Sequence, residues 1–148
     1  MYTHWQRTFP HPAMAAFDAP SREECTCDRP KSNIPQQALV LLNDPQFVEA
    51  ARAFAAKALT DGGADDAARL AWAFERATGR APKPEEAQVL ADVLAKHRAQ
   101  FAERPDDARK LLAVGDLPVP KDAKPEELAA WTSVCRVVLN LHETITRP

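Results

Sequence analysis

The sequence predicts an all-α fold: a helical bundle of about five to six helices carrying an extended, irregular, proline-rich N-terminal arm. Three observations point there. From Asn33 onward, apolar residues recur at helical spacing, and no strand-like alternation of any length is found. The same stretch carries helix punctuation, with Pro, Asp or Asn at the starts and Gly at the ends. Six of the thirteen prolines fall within residues 1–45, where they fix φ and remove backbone donors. The expected division is an arm over 1–34 and a bundle over 35–148.

In the arm, Pro10, Pro12, Pro20 and Pro30 argue against long helices, so residues 9–33 are expected to be ordered but irregular. Phe9, Met14 and Phe17 within it need a surface to pack on, as such long irregular segments usually do. Asn33 is placed to cap a short helix through Gln36–Leu42, with Pro35 in its first turn. Asn43 and Asp44 stop that helix and start the next, in which Phe47, Ala50, Ala51, Phe54 and Ala58 form the apolar stripe and Gly62-Gly63 the end. Asp65 or Asp66 opens a third helix bearing Leu70, Phe74 and Ala77, closed by Gly79. Pro84-Glu85-Glu86 opens a fourth, with Ala87, Leu90, Leu94, His97 and Phe101 on one face; the carboxylates suit the N-terminal dipole. Pro105 breaks it, and Asp106–Val114 forms a short helix ended by Gly115. After a Pro-rich connector, Pro125-Glu126-Glu127 opens the last helix. Its broad apolar face carries Leu128, Trp131, Cys135, Val138, Leu139 and His142. The two Lys-Pro-Glu-Glu openings share capping chemistry; with only two copies and different sequences downstream they are not a repeat.

Composition narrows the function. A net charge of −2 gives no bulk attraction to nucleic acid. Alternating Lys/Arg and Asp/Glu read as solvated helix faces. No apolar run approaches the length of a membrane span, and residues 1–12 hold no apolar core of a signal peptide. Three cysteines, Cys25, Cys27 and Cys135, do not make a disulfide framework. No haem-attachment motif occurs, so no cofactor is expected in this chain.

Candidate chemistry concentrates in the arm. Asp18 and Glu23 are the acid–base candidates and Arg22 an anion clamp, while Cys25, Arg29, Asn33 and Gln37 are binding candidates. The same polar groups can instead fix an irregular loop by bonding its backbone. Cys25 and Cys27, with His4 and His11, offer possible metal ligands. Their spacing is not the usual zinc pairing and no second pair follows, so no metal is assigned. Asn33 and Asn43 read as caps, His97 as a core residue, and His142-Glu143 as neighbours pointing to different faces. The three tryptophans, Trp5, Trp72 and Trp131, read as core or interface anchors.

Three ordered blocks resemble one family: Tyr2–Pro12, Phe17–Cys25, and Asn33–Pro45 with its Asn-Ile-Pro-Gln-Gln-Ala-Leu-Val-Leu-Leu-Asn-Asp-Pro run. Trp72–Pro82, Leu128–Thr132 and Asn140–Thr144 are similar to the rest of the same stretch. The family is the planctomycete PSD type, a domain of unknown function in large multidomain proteins that often carry a cytochrome-c-type domain. The resemblance implies an extracytoplasmic setting, any haem in a separate domain of the parent, and a chain corresponding to the C-terminal part of the family domain. Its partner would then be the missing N-terminal part of the same protein. Cys27, Ile34, Gln36 and His142 depart from the family pattern. The function expected is a helical scaffold or interaction module. The alternative is part of a hydrolase-like or redox enzyme whose site is lined by the arm.

Overall fold

Among the described residues, six of the eight helices begin with a proline, which at the first helical position has no N–H to lose and a φ already set for the helix. The computed structural model describes residues 10–21, 23, 25–28, 30, 32–120 and 123–146. Among these, the elements are α1 (Pro12–Ala16), α2 (Pro35–Asn43), α3 (Pro45–Asp61), α4 (Asp66–Thr78), α5 (Pro84–Glu103), α6 (Pro105–Leu112), α7 (Pro125–Leu139) and α8 (His142–Ile145). The all-α class is as expected. The number of helices is not, because two short ones, α1 and α8, were not anticipated.

Both have simple causes. Pro12, read as a breaker, instead opens α1, and the His11 ring nitrogen accepts from Ala13 N–H at its start. The apolar periodicity of α7 runs on through Leu141, but the helix stops at Leu139, and His142 starts α8. His142 is therefore not on the face of the last long helix. A third correction concerns Asn33: the residue capping α2 is Ile34, and no side chain bonds the helix start there. Asn43 does serve a helix end, donating to Leu39 O at 2.9 Å. Asp44 ends α2 and caps α3, accepting from Gln46 N–H at 2.9 Å. Asp65 caps α4 through Ala68 N–H, and Gly79 closes it in the left-handed region at φ 81°, where a Cβ is costly.

α7 is the hub. Residues 128–135 are buried without a break, as expected of a helix surrounded by others. It packs on α3, α5 and α6, with further contacts to α4, α2 and α8. Small residues let the axes approach: Ala51, Ala55 and Ala58 on α3, Ala108 on α6, and Ala129 and Ala130 on α7 are all buried. Thr132 and Ser133 are buried too, their hydroxyls donating to the carbonyls of Leu128 and Ala129. Cys135 lies in this core, where burial pushes its thiol up to about 12.

The α3 stripe is shifted from expectation. Val48, Ala51, Arg52, Ala55 and Ala58 face inward, while Ala50 is exposed. Arg52, 2% exposed, is thus a core residue. Its guanidinium donates to Leu112 O, at the C-terminal end of α6, and to Leu117 O. One turn earlier, Glu49 accepts from Asp116 and Leu117 N–H. The two side chains hold the α6–α7 connector by both its donors and its acceptors.

Charges expected to be solvated also bridge helices. Arg98 on α5 pairs with Asp66 in the first turn of α4 and Glu127 in the first turn of α7. Glu127 in turn accepts from Trp131 Nε1 at 2.8 Å. The Arg98 hydrogen bonds hold both carboxyls below their usual range.

Candidate functional site

The arm folds back through a clasp. Asp18, at φ 57°, accepts from Ser32 N–H at 2.7 Å and from the Ser32 hydroxyl, and Gln37 Nε2 on α2 donates to Ser32 O at 3.0 Å. Aspartate is among the few residues that visit this region readily, so the conformation suits a turn closure. Two of the sequence candidates, Asp18 and Gln37, are thereby joined through a serine that the sequence did not single out. Glu23, Cys25 and Cys27 lie exposed on the loop between Asp18 and Ser32. The candidates Arg22 and Arg29 lie outside the described residues, as do His4 and Phe9. Met14 and Phe17 are half-buried: α1 packs on α2, but the chain's described helices do not enclose them. Among the described residues no three His, Cys, Asp or Glu gather as a metal site requires.

Beyond the clasp, three clefts surround α8. The first, about 420 Å³, lies between the start of α2 and the α7–α8 junction and holds Asn33, Ile34, Gln37, Asn140, His142, Ile145 and Thr146. Its polar side chains are uncharged amides, the hydroxyls of Ser32 and Thr146, and an imidazole. Asn140 Oδ1 is buried with no partner among the described residues, while His142 Nδ1 sits 3.2 Å from Thr146 Oγ1. The second cleft, about 510 Å³, is lined by Phe74, Arg80, Glu86, Val89, Val137, Leu141, His142 and Glu143. His142 belongs to both. The third, about 480 Å³, is lined by Phe17, Leu41, Phe47, Ala50, Arg136, Leu139 and Ile145 and shares Ile145 with the first. All three lie in the size range of small-molecule or side-chain pockets.

The rim of the second cleft is an ion cluster. Arg80 makes paired 2.8 Å hydrogen bonds to Glu86 and to Glu143, tying the α4–α5 loop to α5 and α8. Its guanidinium carbon stands 4.9 Å from the centroid of the Phe74 ring. Glu86 also accepts from Lys83 N–H at 2.7 Å, which satisfies one orphan donor at the start of α5. The Arg80 hydrogen bonds are the main reason that Glu86 is pushed down to about 2 and Glu143 is lowered. Both stay ionised near neutral pH, so neither serves as a proton donor there. The cluster binds helices together and leaves the cleft between them apolar.

A depressed carboxylate pKa stabilises the fold above its unfolded value and loses that contribution as pH falls through the folded value. For Glu86 the window runs from 4.5 down to about 2. The melting temperature of the chain is expected to fall across this window. In Arg80→Met the part of the fall due to this cluster disappears, which thermal melts in a pH series will show. Parallel curves for the two proteins would mean that the cluster contributes no acid sensitivity.

Arg80, Asn140 and Arg136 were not singled out as functional from sequence; Glu86 was read only as a helix-opening carboxylate and Glu143 only as the neighbour of His142. Arg80 follows a helix-closing glycine, and its place in the family-like block Trp72–Pro82 carried no chemical signal. Arg136 sits next to core Cys135, a weak signal that a charge is forced inward.

No significant match is found among the curated proteins or among the solved structures. The PSD1 family, a protein of unknown function (DUF1553), matches residues 1–94. That stretch takes in the arm, the Asn33–Pro45 block and Trp72–Pro82; the similar blocks from Leu128 onward lie beyond it. With well over half of its length matched, the chain belongs to the PSD1 family.

Proposed function

We propose that this PSD1 chain is a non-catalytic helical scaffold or interaction module of a larger extracytoplasmic protein. It docks onto the remainder of that protein through the apolar surface beside α8. In the planctomycete proteins it resembles, a cytochrome-c-type domain would be its neighbour and would carry any haem. One observation carries the reading: four of the seven exposed large aliphatic side chains among the described residues cluster there, while Leu39, Leu117 and Val119 line neither cleft. Val89 is 59% exposed, and Ile34, Val137 and Ile145 are also open, around two clefts that share His142. Scattered exposed aliphatics are ordinary, but a joined apolar surface with a charged rim marks an interaction site. The rim here is the Arg80–Glu86–Glu143 cluster. No helix among the described residues is long and apolar enough to cross a membrane.

The test is dye binding. The chain is expected to enhance fluorescence of the apolar dye ANS while folded. Val89→Gln combined with Val137→Gln should cut that enhancement severalfold without lowering the melting temperature, since both side chains are exposed and glutamine is a better helix former than valine. A folded chain that leaves ANS dark, or a double variant that binds it as the parent does, would remove the reading.

A further inference from the structure

The third cleft differs from the other two in holding an uncompensated cation. Arg136 reaches it from α7. One nitrogen, Nη2, donates to Leu42 O in the last turn of α2. Nε is buried and has no partner among the described residues. Nη1 bonds no described residue and is not among the buried orphan atoms, so it is open to a partner. Arg80 and Arg98 each hold two carboxylates; Arg52, whose Nε is likewise buried without a described partner, spends both terminal nitrogens on carbonyls and lines no cleft described above. No carboxylate among the described residues pairs with Arg136. Burial lowers its pKa, the direction expected of a cation short of compensation. Around it the walls are Leu41, Phe47, Ala50, Leu139 and Ile145. The one hydroxyl, that of Thr144, is spent on Val138 O.

We infer that this cleft binds an aliphatic monocarboxylate, its carboxylate on Arg136 and its hydrocarbon chain along Leu41, Phe47 and Leu139. The walls select an apolar body. The single guanidinium selects one negative charge, because a dianion would find no second donor. Guanidinium is also the cation best suited to a carboxylate in partly desolvated surroundings. A volume of about 480 Å³ accommodates a chain of medium length. This site meets the docking surface proposed above at Ile145, but neither Val89 nor Val137, the residues that test that surface, lines it.

Decanoate, below its micelle concentration, is the probe, with decanol as the uncharged control. Both are titrated into the full chain and followed by amide and methyl NMR shifts of Phe47, Leu139 and Arg136. Decanoate is expected to saturate these shifts and decanol to bind more weakly. Arg136→Gln should weaken decanoate by about ten- to a hundredfold, the worth of a hydrogen bond to a charged group, and leave decanol unchanged. Ala50→Trp, which fills the mouth from an exposed position and keeps Arg136, should block both. Equal binding of the two probes, an unchanged Kd in Arg136→Gln, or full binding in Ala50→Trp would each overturn the inference. Should Arg136→Gln fail to fold, Ala50→Trp together with the decanoate–decanol comparison decides it.

Discussion

Trp131→Ala is expected to destabilise the chain by about 3–5 kcal/mol, the loss typical of emptying a buried tryptophan site. Trp131 is completely buried on α7, the helix against which most others pack. Its Nε1 also gives Glu127 a hydrogen bond, so truncation leaves that carboxylate dependent on Arg98. Domains of this kind are stable by only about 5–15 kcal/mol in total, so about a fifth or more of the margin goes. In thermal melts this is a drop of roughly 6–20 °C. Trp131→Phe keeps most of the packing and loses chiefly the hydrogen bond, for about 1 kcal/mol. Trp72→Ala provides the contrast. Trp72 is half-buried and tilted against Phe54 at a centroid distance of 5.8 Å, and its loss is expected to matter much less. Equal drops for Trp131→Ala and Trp72→Ala would contradict a core centred on α7.

Arg52→Ala is the second large effect, about 3 kcal/mol, or roughly 6–12 °C in melting temperature. Removing the guanidinium strips the donors from Leu112 O and Leu117 O, and an acceptor left unsatisfied in a buried site costs about 1–3 kcal/mol. The end of α6 also loses a favourable charge at its negative pole. Relief of the desolvated cation offsets part of this, but truncation opens a void beside Leu112 as well. Glu49→Gln should cost less, about 1 kcal/mol, because an amide oxygen still accepts from Leu117 N–H, which Glu49 bonds at 3.1 Å. If Arg52→Ala melts with the parent, the α6–α7 connector is not held from α3.

Much of the bundle was legible because its boundaries are written in local chemistry. Pro45, Pro84, Pro105 and Pro125 open helices, Gly62 and Gly79 close them, and Asp44 and Asp65 cap them. These signals act within one helical turn and need no knowledge of the rest of the fold. What was missed depends on contacts between residues far apart in sequence. The Asp18–Ser32 clasp closes over 14 residues, and Arg80 meets Glu143 across 63. The inward turn of Arg52 follows from which side of α3 meets α7; the expected stripe had Ala51 and Ala58 right but took Phe47, Ala50 and Phe54 where Val48, Arg52 and Ala55 are buried. The end of α7 was hidden because Leu139, Leu141 and Ile145 continue an apolar pattern across the break. Of the candidate site residues, Asn33 and Gln37 line one cleft and Asp18 clasps the arm beside it, while Glu23 and Cys25 lie out on the loop. Residue types alone marked the arm as unusual; only the fold shows that its neighbours are α2 and α8.

The most direct measurement of the central idea, that the surface beside α8 is made to be covered, is sedimentation velocity of the chain over a wide concentration range. The expected result is a sedimentation coefficient that rises with concentration in the parent and stays at the monomer value in the Val89→Gln, Val137→Gln double variant. A parent that remains a monomer throughout would contradict it.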